Sequence, residues 1–263
     1  RMPRSVITLT TDFGPSSPYV AQMKGVILAI HSDVELVDVT HAVPHQQILA
    51  GAVALVDVYH HFPPGTIHIA VVDPGVGTNR AIALAEIDGH FFVAPDNGLL
   101  GLVARRTPPS RIVRVEACEF WNQSISHTFH GRDIMAPVAA HLARGIEFAR
   151  FGPSQPVVQQ LDVPDAVVTT NRAEGTVLTV DSFGNLATNL DRDMLPRSVS
   201  ELTLQIDGHA EQVVPFVATY AQRPADQVVS LVSSSRRIEI AVVNGNASRQ
   251  LGVVPGSQIT LQW

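Results

Sequence analysis

Ile67-His68-Ile69-Ala70-Val71-Val72-Asp73-Pro74-Gly75 reads as a strand that ends on an acid beside glycine. The run from Ile67 to Val72 is nearly all apolar, as parallel strands covered on both faces are. Three other segments end in the same way: Ile7-Thr8-Leu9-Thr10-Thr11-Asp12-Phe13-Gly14, Phe92-Val93-Ala94-Pro95-Asp96-Asn97-Gly98 and Val180-Asp181-Ser182-Phe183-Gly184-Asn185. Open α/β sheets bind ligands in the crevice outside the carboxyl ends of their strands. Asp-Gly and Asn-Gly pairs also make plain turns, and one such strand end means nothing more. Four in one chain point to a site for a polar small molecule.

Outward from these strands, the first 160 residues alternate between strand and helix. Strands are expected at 5–12, 34–39, 67–72, 81–87, 90–94 and 112–115, with a hairpin across Asp88-Gly89. Helices are expected at 19–30, 46–60, from Asn97 to Arg105 and from Met135 to Gly145, several with apolar residues at three- and four-residue spacing. The alternation predicts an α/β domain over 1–160 with a mostly parallel or mixed sheet. Pro153, Pro156 and Pro164 mark 152–165 as a linker. Beyond it come short strands at 175–180, 202–206, 211–214, 228–231, 238–243 and 258–261, without a long helical period. Residues 161–263 are therefore expected to form a small all-β, barrel-like domain.

The composition narrows the function. Of 263 residues, 45% are hydrophobic and 16% charged, and the net charge is −6. Lys24 is the sole lysine, so there is no basic track for nucleic acid. Arginine supplies the remaining positive charge, which suits fixed carboxylate recognition. The single Cys118 excludes an intrachain disulfide and any cysteine-based zinc site. No apolar run is long enough to span a membrane, and Arg1-Met2-Pro3-Arg4 begins no signal-peptide core. A cytoplasmic setting is the expectation.

Several motifs are set aside. Asp12-Phe13-Gly14 lacks the rest of a kinase signature, and there is no phosphate loop or G-x-G-x-x-G. The eleven histidines include no H-E-x-x-H, and most are expected at surfaces or interfaces rather than on a metal. In His130-Gly131-Arg132-Asp133, Asp133 can cap the helix that follows and Arg132 can pair with a carboxylate. With Asp73 and Arg80 a second reading opens, in which carboxylate, guanidinium and imidazole together hold and polarise a water.

At these residues the chain resembles the S-adenosylmethionine (SAM) hydroxide adenosyltransferase family, relatives of the enzymes that attack SAM with fluoride or chloride. The matching segments are Thr10–Gly14, Asp73–Arg80, Ala94–Leu100, Phe129–Asp133, Asp181–Asn185 and Asn244–Ser248, in order over nearly the whole chain. The resemblance implies an N-terminal α/β domain, a C-terminal β-barrel domain and a homotrimer with SAM bound at subunit interfaces. It implies Asp73, Arg80 and His130 as the water-handling triad and Asp12 on the ribose hydroxyls. Asp181 is implied for the methionine ammonium, with Ser235 and Arg236 near its carboxylate. Phe183, Asn185, Asn244, Asn246 and Ala247 are implied for the adenosine, and Asn97 joins the substrate-binding set. Halide-using relatives carry a serine and a tyrosine-like side chain where this chain has Gly131 and Asp73. A carboxylate at the nucleophile position repels halide and orients water. The expected activity is SAM hydrolysis to adenosine and L-methionine, without metal or cofactor. A halogenating relative, a metal-dependent hydrolase and a non-catalytic SAM or adenosine binder are the alternatives.

Overall fold

The computed structural model describes residues 4–207 and 209–263; Arg1, Met2 and Pro3, read above for a leader, lie outside them. The chain divides into two compact units, Arg1–Leu161 and Asp162–Trp263.

The first unit contains β1 (Ser5–Thr11), α1 (Tyr19–Ile30), β2 (Val34–Thr40), α2 (Ile48–Val58), β3 (Ile67–Val71), β4 (Ile82–Ile87), β5 (His90–Pro95), α3 (Gly101–Arg106), β6 (Arg111–Arg114) and α4 (Ala136–Ala143). Its sheet runs β2-β1-β3-β5-β4-β6. β2, β1, β3 and β5 are parallel, whereas β4 is antiparallel to both neighbours. Alternate side chains feed two cores. Ile7, Leu9, Ile69 and Val71 pack under Met23 and Ile27 of α1 and Val138 of α4. Ala70, Val72, Ala83 and Phe92 pack under Leu55 of α2 and Val103 of α3. Burial on both faces is why these strands read as unbroken apolar runs. Gly51 lets α2 come close, since a Cβ there would lie 2.9 Å from a Val72 methyl.

The chain leaves β1 for β2 on one side and returns to β3 on the other, with α1 and α2 on opposite faces. The strand order therefore reverses at the β1–β3 pair, where a crevice opens in sheets of this kind. Asp12 follows β1 and Asp73 follows β3.

Several expectations are corrected. The helix expected over 46–60 is α-helical from Ile48 to Val58, then a 3₁₀ turn. A π-helical turn, Gly131–Met135, precedes α4. The start of the expected linker packs on the first unit: Arg114 N donates to Pro153 O at 2.9 Å and Gln155 N to Ile112 O at 2.9 Å. Two histidines are core residues. Thr8 Oγ1 lies 2.8 Å from His68 Nδ1, and His68 Nε2 lies 3.3 Å from His90 Nδ1. Burial pushes the His68 pKa down to about 3.

The second unit contains β7 (Val167–Val168), β8 (Arg172–Val180), β9 (Leu186–Asp191), β10 (Glu201–Ile206), β11 (Gln212–Pro215), β12 (Val228–Val232), β13 (Arg237–Val242), α5 (Ala247–Leu251) and β14 (Gln258–Gln262). Neighbouring strands are antiparallel, in the order β11-β10-β14-β8-β9-β13-β12, with β7 on β8. The ends of this sheet meet, because Val217 N donates to Ser230 O at 2.8 Å and Ser230 Oγ to Pro215 O at 3.1 Å. That closes a barrel-like sheet around Val177, Leu186, Leu204, Ile240 and Leu261. β9 and the short α5 were not foreseen. Among the described residues no helix is long and apolar enough to cross a membrane.

Candidate active site

A cavity of about 270 Å³ opens where the strand order reverses, lined by Asp12, Gln46, Asp73, Phe129 and His130 among others. Asp73 leaves β3 into a tight turn that Thr78 braces, its Oγ1 donating to Gly75 O at 2.7 Å. The turn brings Arg80 back onto Asp73. Arg80 Nε donates to Asp73 Oδ1 at 2.9 Å and to Oδ2 at 3.0 Å, and Nη2 is also in contact with Oδ2. The two side chains are 5% and 11% exposed, so the pair is largely screened from solvent.

His130 completes the group, with Nδ1 3.0 Å from Arg80 Nη2. A guanidinium only donates, so Nδ1 accepts and the neutral ring carries its proton on Nε2. Burial lowers the His130 pKa, the Arg80 charge lowers it further, and Asp73 opposes both. The imidazole is thus neutral at pH 7 and offers an N–H from Nε2.

His130 is held by the turn that follows it. Asp133, 1% exposed, accepts from Arg132 Nε at 2.7 Å, Arg132 Nη2 at 2.9 Å, Ser126 N at 2.8 Å and Asn122 Nδ2 at 3.1 Å. Arg132 does pair with a carboxylate, that of its own neighbour. Asp133 does not cap α4, because it sits inside the π turn and is consumed by these donors. Burial raises its pKa, but the donors outweigh burial and leave it below the usual carboxylate value.

Asp12 lies on the opposite wall, 9% exposed, with Oδ2 accepting from Gln46 N at 2.8 Å. Gln46 has φ +62°, and it turns the chain so that its amide faces the acid. No signal in the sequence marked Gln46 or His45 as lining residues. Phe13, Tyr19 and Phe129 pack edge to face with centroids 5.1–5.8 Å apart, making an aromatic wall beside the cavity. Asn97 does not line it. Its Nδ2 donates to Val72 O at 2.9 Å and its Oδ1 accepts from Leu99 N at 3.2 Å, tying the ends of β3 and β5 together.

The remaining expected residues lie in the second unit. Asp181 Oδ1 accepts from Phe183 N and Asn185 N, both at 2.9 Å, and Oδ2 from Asn185 Nδ2 at 3.0 Å. The turn so formed exposes Phe183 by 75%. It packs on Asn246, whose side chain would lie 2.1 Å from a Cβ at Gly184. Asn246 caps α5, accepting from Arg249 N at 2.8 Å; Asn244 has φ +54° and Ala247 is buried. Ser235 and Arg236 form the β12–β13 hairpin at the far end of β13, which spans roughly 20 Å at the usual rise per residue. Arg236 Nη2 lies 2.7 Å from Asp193 Oδ2. Near the Asp181 turn, sequence reasoning missed a contact between the exposed Tyr220 and the buried Glu239, Tyr220 OH donating to Glu239 Oε1 at 2.6 Å. Burial raises both pKa values.

Among the described residues no three His, Cys, Asp or Glu side chains are grouped as metal ligands.

Family models of the SAM hydroxide adenosyltransferase N-terminal and C-terminal domains match residues 7–152 and 175–260. A protein of Thermus thermophilus named (R)-S-adenosyl-L-methionine hydrolase is 37% identical, over 95% of this chain and 97% of its own. A solved structure from Thermotoga maritima, described as an uncharacterized conserved protein, superposes with a TM-score of 0.92 at 33% identity, covering 98% of this chain and all of that one. A fluorinase of Actinoplanes sp. is 29% identical, over 82% of this chain and 83% of its own.

Proposed function

The chain belongs to the SAM hydroxide adenosyltransferase family, and from that premise we propose that it hydrolyses S-adenosyl-L-methionine to adenosine and L-methionine. The observation that carries the reading is the Asp73–Arg80–His130 contact beside the cavity at the sheet's switch point.

The chemistry asks little else of a protein. Water oxygen forms a bond to ribose C5′ as the C5′–sulfur bond breaks. The electron pair stays on sulfur, so the sulfonium becomes the neutral thioether of methionine. No acid is needed for that leaving group, which supports a metal-independent reaction. Water is a weak nucleophile that must be in line, and ordered placement alone contributes roughly 7–11 kcal/mol. The His130 Nε2–H and the Asp73 carboxylate orient the water. Attack leaves a protonated alcohol, far more acidic than a carboxylic acid, so Asp73 is basic enough to take its proton even when paired with Arg80. His130 is the poorer acceptor, since Arg80 already holds its Nδ1 lone pair.

The same reading gives Asp12 the ribose hydroxyls and the exposed Phe183 ring, Asn185, Asn244, Asn246 and Ala247 the adenosine. Asn97 acts by fixing the end of β3. Asp181 takes the ammonium. The carboxylate shares its carbon with that ammonium and must bind beside Asp181, so Ser235 and Arg236, which the resemblance implies for it, are set aside: they lie at the opposite end of β9 and β13, where Arg236 meets Asp193. We further propose a cytoplasmic homotrimer, about 85 kDa from three chains of 28.3 kDa, with sites at subunit interfaces.

Incubation with SAM, followed by chromatography, tests the proposal: adenosine and methionine must appear in equal amounts and persist with EDTA. Separate (R) and (S) sulfonium epimers show whether the chain shares the substrate in its relatives' name. Added fluoride or chloride must yield no 5′-halo-adenosine. Bound but unconverted SAM would favour the non-catalytic binder.

A further inference from the structure

His130 sits between Phe129, which lines the same cavity, and the π turn Gly131–Met135. Arg132 braces both sides of it. Its Cζ lies 5.0 Å from the Phe129 ring centroid, while Nε and Nη2 donate to the two Asp133 oxygens. The backbone is pinned as well. Asp133 N donates to Phe129 O at 3.1 Å, and Asp133 O accepts from Asn122 N at 2.9 Å. The remaining guanidinium nitrogen, Arg132 Nη1, donates at 2.9 Å to Gln22 Oε1 on α1, 110 residues away in sequence. The next residue of that helix, Met23, is wholly buried in the core beneath the sheet, so Gln22 stands on a fixed base.

We propose that Gln22 is a positioning residue for the reaction: acting through Arg132 and Asp133, it holds the His130 ring on Arg80 and facing the cavity. The proposal rests on the hydrolytic reading above. In-line attack tolerates little displacement, since an error of about 1 Å can cost about a hundredfold in rate. Tying Arg132 to Asp133 and Gln22 also keeps a second guanidinium off the imidazole and leaves Nδ1 to Arg80.

Gln22→Met removes the acceptor and keeps the length, Gln22→Glu keeps the acceptor, and Asp133→Asn loosens the Arg132 pair itself. Turnover, kcat, should fall about five- to tenfold in Gln22→Met, the worth of one hydrogen bond, and about ten- to a hundredfold in Asp133→Asn. KM for SAM should be unchanged and Gln22→Glu close to wild type. The pH profile separates displacement of His130 from a merely structural loss. Burial lowers its pKa, as do Arg80 and His127, whereas Asp73 and Asp133 oppose them. Removing the Asp133 charge alone would lower that pKa further. Releasing the ring from burial and from Arg80 raises it towards the ordinary value of about 6.5. Gln22→Met and Asp133→Asn should therefore both gain an acid limb in kcat/KM near that pH, which wild type and Gln22→Glu lack. In Gln22→Met, Asp133 cannot supply the limb, because its donors hold it below the usual carboxylate value. Wild-type kcat in Gln22→Met overturns the proposal, and so does a flat profile in that variant, whatever its Tm. If Asp133→Asn does not fold, Gln22→Met against Gln22→Glu decides. Wild-type protein that leaves SAM intact instead defeats the hydrolytic reading; active wild type with unaffected variants defeats only the positioning role.

Discussion

Asp73→Asn tests the triad most directly, and its consequences separate into three readouts. The first is stability. The Asp73 and Arg80 side chains are 5% and 11% exposed, and removing one partner of a buried pair costs about 3–5 kcal/mol because the other charge is stranded. The second is affinity. In the wild type the pair is neutral towards a bound sulfonium; in Asp73→Asn the guanidinium is left net positive. Two like charges about 8 Å apart at an effective dielectric of 20–40 repel by about 1–2 kcal/mol, which weakens SAM binding about 5- to 30-fold. The third is chemistry. A positioned proton acceptor contributes about 10²–10⁴ in rate, so kcat falls at least about a hundredfold.

The double variant Asp73→Asn, Arg80→Gln distinguishes these effects. It removes the stranded charge, so urea unfolding should recover most of the lost stability and calorimetry most of the lost affinity. Single-turnover formation of adenosine should stay slow, because the acceptor is still gone. A double variant that regains wild-type kcat refutes the role of Asp73. So does a single variant within a few-fold of wild type.

Further outcomes are expected elsewhere in the molecule. Asp12→Ala should weaken SAM binding about 10- to 100-fold, the worth of a hydrogen bond to a charged group; unchanged calorimetry removes Asp12 from the site. His130 acts neutral and its pKa is lowered, so kcat/KM should hold as pH falls through 6.5, the ordinary histidine value; a half-loss at or above that pH contradicts the assigned state. The His68 pKa is lowered to about 3, so the unfolded chain binds the extra proton between pH 3 and 6.5 and stability is lost as pH falls through that window. At pH 5 the loss is about 2 kcal/mol; His68→Gln should erase that much of the difference in urea stability between pH 7.5 and pH 5. Arg236 has φ +65°, which glycine adopts without strain, and it lies at the opposite end of β13 from the Asp181 turn, so Arg236→Gly should neither destabilise the fold nor change SAM affinity; weakened binding by calorimetry would return Arg236 to the carboxylate site.

The strand ends were legible because buried parallel strands are apolar throughout and their exits must turn. The Asp88-Gly89 hairpin was legible for the same reason, with the turn residues adjacent. β9 escaped notice because polar Thr188 takes an inward position between Leu186 and Leu190; Thr188 is buried all the same, its hydroxyl donating to Ile238 O at 2.7 Å. Nothing local singled out His68 and His90 as core residues, because His68 is met by Thr8, sixty residues before it, and His90 by His68. The π turn has no sequence signature at all. It follows from Asp133 gathering donors from Asn122, Ser126 and Arg132, a convergence that only the folded chain brings about.

An acid beside glycine at a strand end gives a position, and the donors that reach it decide its use. Asp181 is met by its own turn, two and four residues on, so its partners were implicit in the local sequence. Asp73 is met by Arg80 from seven residues away, and Asp12 by Gln46 from thirty-four. The near-identical motifs therefore leave different capacity for a ligand. A carboxylate has about four acceptor sites. Asp181 spends three of them within its turn, which leaves one for an ammonium and makes it a rigid single-contact acceptor. Asp12 carries one backbone donor, from Gln46, and keeps a second oxygen free to bridge two hydroxyls. On the proposed reading, that difference suits the first strand end to the diol of a ribose and the last to a cationic head.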